Sequence, residues 1–170
     1  MFCFVTLSIF LQIQRRQKLN LTETAELTLW EPTHYVFVEK LGPFQDTAQK
    51  AWETLHQSLP EVAQQVQLCG FFSLYKIRPQ MVYRAGVAVS EKPANLPKGL
   101  EYTKFEGGKY SKFVLTGSYA NLPEACGRVF SIVAETGISV SDNFYIENYR
   151  NDPKTTAEDD LITEILIPTR

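Results

Sequence analysis

Residues 35–49, YVFVEKLGPFQDTAQ, and residues 110–124, YSKFVLTGSYANLPE, follow one plan. Each begins with a tyrosine-led run of strand-forming residues and turns at a glycine, Gly42 or Gly117, with an aromatic two residues on, Phe44 or Tyr119. Each then reaches Asp46 or Asn121, followed three residues later by Gln49 or Glu124. The two stretches are 75 residues apart, and the match runs backward without gaps: Glu26 falls on Glu101, Trp30 on Phe105 and Glu31 on Glu106. Self-similarity at a fixed offset marks a duplicated unit. A side-chain acceptor followed at the third position by Glu or Gln is a capping box, so both halves are expected to open a helix at the same place.

Working outward, the first helix is predicted from about 47 to 58, with Ala48, Ala51, Trp52, Leu55 and Leu59 at helical spacing. The second, from about 122 to 135, carries Ala125, Cys126, Val129, Ile132 and Val133 in the same manner, with Pro123 in its first turn, where a missing N–H costs nothing. Two extended segments follow each helix: GFFSLYKI and MVYRAGVAV in the first half, NFYIENY and LITEILI in the second. With the offset slipped to 74, Tyr75 falls on Tyr149 and Pro79 on Pro153. Each half is therefore strand, strand, helix, strand, strand, with repeats at about 25–92 and 100–168. Two such units make an α+β domain with an antiparallel sheet. Both helices are expected on one face, and a groove on the other, along the pseudo-twofold axis.

The 170 residues are 44% hydrophobic and 12% aromatic, enough for one core without metal or disulfide staples. A single domain over 25–170 is expected, with 1–24 as an extension of uncertain status. Net charge is −2 and the basic residues are scattered, which argues against direct nucleic-acid binding. Cys3, Cys69 and Cys126 form no CxxC pair, as suits a reducing, cytoplasmic compartment, and read as packing residues or inert thiols. The apolar run MFCFVTLSIFLQI is short for a span and has its basic cluster, Arg15, Arg16 and Lys18, after it. No membrane association is expected unless that run is an anchor.

Alternation in NFYIENY (143–149) puts Phe144 and Ile146 on one face of a strand and Tyr145, Glu147 and Tyr149 on the other. If Phe144 and Ile146 pack under the helices, the acid and its two phenols line the groove. A buried carboxylate persists when it is hydrogen-bonded, solvated or kept for a ligand. The alternative is structural: Glu147 on a wet edge, or paired with Arg84 or Arg150. Glu164 in the last strand is a second acid that would reach the groove or an exposed edge, and Trp30 and Tyr35 would wall one end or simply pack. His34 and His56 lie in different elements with no Cys or Ser beside them, so neither a triad nor a metal site is expected. Gly107-Gly108 reads as a turn between strands.

The run YVFVEKLGPF and the ending YIENYRNDPKTTAEDDLITEILIP resemble the GyrI-like family, the bacterial transcription-activator effector-binding domain. The family's closing pattern is matched in order by Glu147, Tyr149, Asp152, Pro153, Glu158, Asp159, Thr163, Glu164, Ile165, Ile167 and Pro168. The resemblance covers about residue 25 to the end. It implies two βαββ-type units sharing a groove for organic molecules, often lipophilic cations, with an acid answering the charge and rings holding the ligand's body. Carried over, the acid is Glu147, with Tyr145 and Tyr149 beside it and Phe71 and Tyr75 on the equivalent strand of the first half. No helix-turn-helix segment precedes the match, so the chain looks like a stand-alone member. Two alternatives remain. Some members resemble hydrolases of strained cyclopropane-containing toxins, in which Glu147 would be the acid or base, assisted by Tyr145 or Tyr149. The gyrase-inhibitory member implies a role with a protein partner. A related haem-binding fold directs notice to His56, but no cofactor is expected.

Overall fold

The computed structural model describes residues 19–170; the N-terminal apolar run, its basic cluster and Cys3 lie outside the described residues. The chain folds as β1 (Glu26–Trp30), β2 (Thr33–Leu41), α1 (Phe44–Ala63), β3 (Leu68–Lys76), β4 (Val82–Val89), β5 (Glu101–Phe105), β6 (Gly108–Thr116), α2 (Leu122–Thr136), β7 (Tyr145–Tyr149) and β8 (Ile162–Pro168). Single 3₁₀ turns at Tyr119–Asn121 and Glu158–Asp160 precede α2 and β8. The bounds of β5 and β6 are those of β1 and β2 shifted by 75, as the repeat requires. Gly42 and Gly117, at equivalent turns, have φ of 117° and 124°, a region that a Cβ disfavours.

All eight strands join one antiparallel sheet in the order β1-β6-β8-β7-β3-β4-β2-β5. The order is palindromic in repeat terms, with the equivalent strands β3 and β7 paired at the centre. The first strand of each repeat has crossed over: β1 pairs with β6 and β5 with β2, so neither repeat closes its own sheet.

Both helices cover the same face. On α1, Ala51, Leu55 and Val62 pack on Val36, Val38, Ala85 and Val87; on α2, Ala125, Val129 and Ile132 pack on Phe113, Leu115, Ile165 and Ile167. Full burial of each such aliphatic side chain contributes about 1.5–3 kcal/mol, which holds the helices to the sheet. The opposite face is a second core, built from Tyr35, Phe37, Phe72, Leu74, Phe105, Tyr110, Ile146 and Leu166, with Trp30 and Phe144 against it. Trp30 and Phe72 lie 5.0 Å apart, centroid to centroid, although β1 and β3 are four places apart in the sheet. Flat, those strands would be about 19 Å apart. The sheet therefore curls around this aromatic core, and the face away from the helices is closed by its own side chains.

That curl corrects the expected direction of β7. Ile146 and Phe144 point into the aromatic core, not under the helices, and Tyr145, Glu147 and Tyr149 point to the helix side. A groove on the face opposite the helices is thus filled, and on the helix side α1 lies on β2 and β4 and α2 on β6, with β3 and β7 between them. The expected capping boxes do not form either. Helix α1 starts at Phe44 with Pro43 at the cap, which places Asp46 inside the first turn. Asn121 has helical backbone angles, φ −84° and ψ −8°, because the 3₁₀ turn runs directly into α2; Ser118 instead accepts from the Ala120 N–H at 3.2 Å. Among the described residues no helix is long and apolar enough to cross a membrane.

Candidate functional site

The helices sit over the outer strands of each half-sheet and leave the centre, β3 and β7, beneath the gap between them. On the helix side β3 presents Phe71, Ser73 and Tyr75, and β7 presents Tyr145, Glu147 and Tyr149. The register pairs Phe71 with Tyr149, Ser73 with Glu147 and Tyr75 with Tyr145. The Ser73–Glu147 pair is thus the centre of the sheet, and the carboxylate stands on its helix side, half-buried.

Its hydrogen bonds are uneven. Oε2 accepts from Tyr149 Oη at 2.9 Å and from Ser73 Oγ at 3.2 Å, whereas Oε1 receives, among the described residues, only the Cys126 thiol of α2, at 3.6 Å. No ion pair among the described residues includes Glu147. Burial raises its pKa, opposed in turn by the bonds from Tyr149, Ser73 and Cys126. The carboxylate returns the effect: burial first and Glu147's charge second push Tyr83 up to about 12, and the same two causes raise Tyr149 and Cys126.

Rings surround the acid. Tyr149 meets Trp52 of α1 edge-on at 5.4 Å and Tyr119 at 5.3 Å, and Trp52 Nε1 donates to Tyr83 Oη at 2.9 Å. On the other side Tyr75 stacks on Tyr145 at 5.3 Å, and Phe130 of α2 meets Tyr145 edge-on. The Tyr75 hydroxyl is buried and, among the described residues, has no partner at hydrogen-bond distance. Two shallow cavities lie at the flanks of this cluster. One, about 360 Å³, is lined by His56, Leu59, Pro60, Ala63, Leu68 and Lys154; the other, about 430 Å³, by Ser118, Tyr119, Pro153, Thr156, Glu158 and Leu161 among others. Tyr119 joins the second to Tyr149, and His56, 6.1 Å from Phe71 and 5.8 Å from Trp52, joins the first to the ring cluster. The carboxylate itself lies between them, screened by the rings.

Of the residues singled out in the sequence, Glu147, Tyr145, Tyr149, Phe71 and Tyr75 come together here. Glu164 does not: it faces the opposite side, where Asn148 donates to it at 2.7 Å and Lys112 and Arg150 lie at 3.9 and 3.8 Å. Tyr35 and Trp30 belong to the aromatic core; the Tyr35 hydroxyl donates to Phe72 O at 2.9 Å, and its ring lies flat on Gly86. The structural partner considered for Glu147, Arg84, is on that far face too, bonded to Glu39 at 2.7 Å and stacked between Phe37 and Phe144. Sequence reasoning did not assign Ser73, Trp52, Tyr83 and Cys126 to the site. Ser73 was readable, since the 74-residue offset that relates Tyr75 to Tyr149 also relates Ser73 to Glu147. Among the described residues, no cluster of three or more His, Cys, Asp or Glu is placed to hold a metal. His56 is exposed on α1, its pKa lowered by partial burial and then by Lys154.

The family described as GyrI-like small molecule binding domain matches residues 24–170. Among solved structures the fold is similar to the EcmrR C-terminal domain, with a TM-score of 0.72 at 17% identity, covering 86% of this chain and 96% of that one. In the EcmrR–DNA complex, where the TM-score is 0.71 at 17% identity, the match covers 89% of this chain but only 58% of EcmrR. The structure of SAV2435 bound to tetraphenylphosphonium matches with a TM-score of 0.69 at 16% identity, over 86% of this chain and 93% of that one. A hydrolase from Listeria innocua matches at 0.55 and 10% identity, over 88% and 93%. No curated protein sequence matches the chain.

Proposed function

Because the chain belongs to the GyrI-like small molecule binding domain family, we propose that it binds organic cations with aromatic bodies in the cleft between α1 and α2, Glu147 balancing the charge. The observation that carries this reading is a half-buried carboxylate that lacks a cationic partner among the described residues and is ringed by Tyr149, Trp52, Tyr145 and Tyr75. A desolvated cation over such rings gains about 2 kcal/mol from the aromatic quadrupole, beyond its attraction to the acid. The flanking cavities give room for the ligand's body once the rings part. SAV2435, of similar fold, was solved with a lipophilic phosphonium, which makes that cation the natural first probe.

The test is a calorimetric titration with tetraphenylphosphonium of the wild type and Glu147→Gln side by side. A weakening of about tenfold or more, equivalent to about 1.4 kcal/mol, supports the reading. Equal affinity of the two proteins overturns it.

One observation favours a second reading, hydrolysis by the same residue: burial raises Glu147's pKa above that of a free carboxyl, the direction that favours a general acid or base. Mass analysis of a strained cyclopropane compound after incubation with wild type and Glu147→Gln decides it; an unchanged substrate mass excludes this chemistry for that compound.

A further inference from the structure

The two oxygens of Glu147 are not equivalent, and the difference points to a narrower class of ligand. Oε2 is saturated by two hydroxyl donors, whereas Oε1 has one long contact to a thiol, the weakest donor in the site. Beside Cys126 lies the hydroxyl of Tyr75, on a side chain only 4% exposed and without a partner at hydrogen-bond distance among the described residues. After burial, the charges of Cys126 and Glu147, a hydrogen-bond interaction with the Cys126 thiol and the charge of Tyr145 raise this phenol's pKa; the thiol is a weak partner and lies beyond hydrogen-bond geometry, so the hydroxyl stands beside Cys126 and Glu147 with its bonding capacity unspent. The sheet explains the vacant hydroxyl. Tyr75 is the repeat mate of Tyr149, and Tyr149 spends its proton on the acid two residues before it, whereas the residue two before Tyr75 is Ser73.

Resting on the reading above, we propose that the site selects cations bearing N–H groups on the charged centre, such as protonated amines, over permanent cations of the same body. One N–H donates to Glu147 Oε1 and a second to the Tyr75 oxygen, so Tyr75 is a specificity-determining residue. A quaternary ammonium or phosphonium centre still meets the charge and the rings but leaves Oε1 and the Tyr75 hydroxyl as they are. Each hydrogen bond involving a charged group is worth enough to separate two such ligands by about tenfold.

The experiment uses the full chain at pH 7 and a matched pair of probes: 1-naphthylmethylamine, protonated at that pH, and its N,N,N-trimethyl quaternary analogue. The wild type is expected to bind the protonated amine about tenfold more tightly. Tyr75→Phe, which keeps the stack on Tyr145, is expected to shrink that ratio to about threefold or less without abolishing either interaction. If wild type binds both probes equally or prefers the quaternary one, while Glu147→Gln weakens both, the selectivity proposal is overturned and the cation reading stands. If neither probe binds, or Glu147→Gln binds both as wild type does, the cation reading fails and this proposal with it. Should Tyr75→Phe not fold, the wild-type ratio alone still decides.

Discussion

Replacing Glu147 by glutamine should stabilise the fold. The amide oxygen keeps the bonds from Tyr149 and Ser73, and the amide N–H₂ takes the place of Oε1, where the unpartnered Tyr75 hydroxyl offers an acceptor. What is removed is a charge that the fold disfavours. Burial holds the folded-state pKa of Glu147 above its ordinary 4.5, so below 4.5 the carboxyl is neutral both folded and unfolded and carries no penalty. As pH rises through the folded-state pKa, the wild type must ionise a buried group with no cation paired to it among the described residues, and loses stability relative to the variant. Burying a polar group short of partners costs about 1–3 kcal/mol. For a protein of this size each kcal/mol moves Tm by about 2–4 °C, so Glu147→Gln should melt about 2–12 °C higher at pH 8 and alike at pH 4. Differential scanning calorimetry of both proteins from pH 4 to 9, without ligand, measures this. A variant less stable at pH 8, or a difference independent of pH, would show that the carboxylate's charge is already balanced within the fold.

Tyr149→Phe removes the largest of the bonds that lower Glu147's pKa, so the pH at which tetraphenylphosphonium binding appears should move upward in titrations from pH 5 to 9. An unmoved profile would separate that bond from the site's ionisation. In Gly86→Ala the new Cβ would lie 2.2 Å from Tyr35 Cζ, so the ring or the strand must shift. The cost should be about 1–3 kcal/mol in denaturant unfolding, with probe affinity of the folded protein unchanged because the clash is on the far face. Iodoacetamide at pH 8 should label exposed Cys69 and spare Cys126, whose thiol is pushed far up by burial and by Glu147. Peptide mass spectrometry reads the two separately, and rapid labelling of Cys126 would mean the cleft opens widely.

The duplicated architecture was legible because a duplication leaves its mark in the spacing itself: β1 and β2 reappear as β5 and β6 with no change of length. The direction of β7 was not legible. Alternation separates the two faces of a strand but says nothing about which lies under a helix. Here both faces are apolar, one packed by helices and the other by Phe72, Tyr35 and Tyr110 across a curled sheet. A flat sheet would have left that second face open, as the alternation suggested. The sequence leaves open the side that Trp30, Tyr35 and Glu164 take for the same reason, since it depends on the curl and not on local sequence. The crossover of β1 and β5 was hidden as well. Pairing partners within a repeat and between repeats satisfy the same pattern, and only the order of strands in space tells them apart.

The register at the centre of the sheet leads to a sharper test of the site. An offset of 74 relates Phe71 to Tyr145, Ser73 to Glu147 and Tyr75 to Tyr149, and these same six residues pair across β3 and β7 as a twofold axis through Ser73–Glu147 demands. Two glutamates facing each other on that axis would repel at one strand spacing, about 5 Å, and one would stay protonated. Serine on one side and glutamate on the other gives instead one charge and one donor. If the axis is what builds the pocket, the two are interchangeable. In the double variant Ser73→Glu with Glu147→Ser, the relocated acid stands two residues before Tyr75, whose hydroxyl then has the acceptor that Tyr149 has now. Glu147→Ser alone should lose about tenfold or more in tetraphenylphosphonium affinity, and the double variant should recover to within about tenfold of wild type. A double variant that folds to the wild-type melting temperature yet binds no better than Glu147→Ser would show that the ligand reads the helices, with Cys126 on one side and Trp52 on the other, and not the symmetric floor.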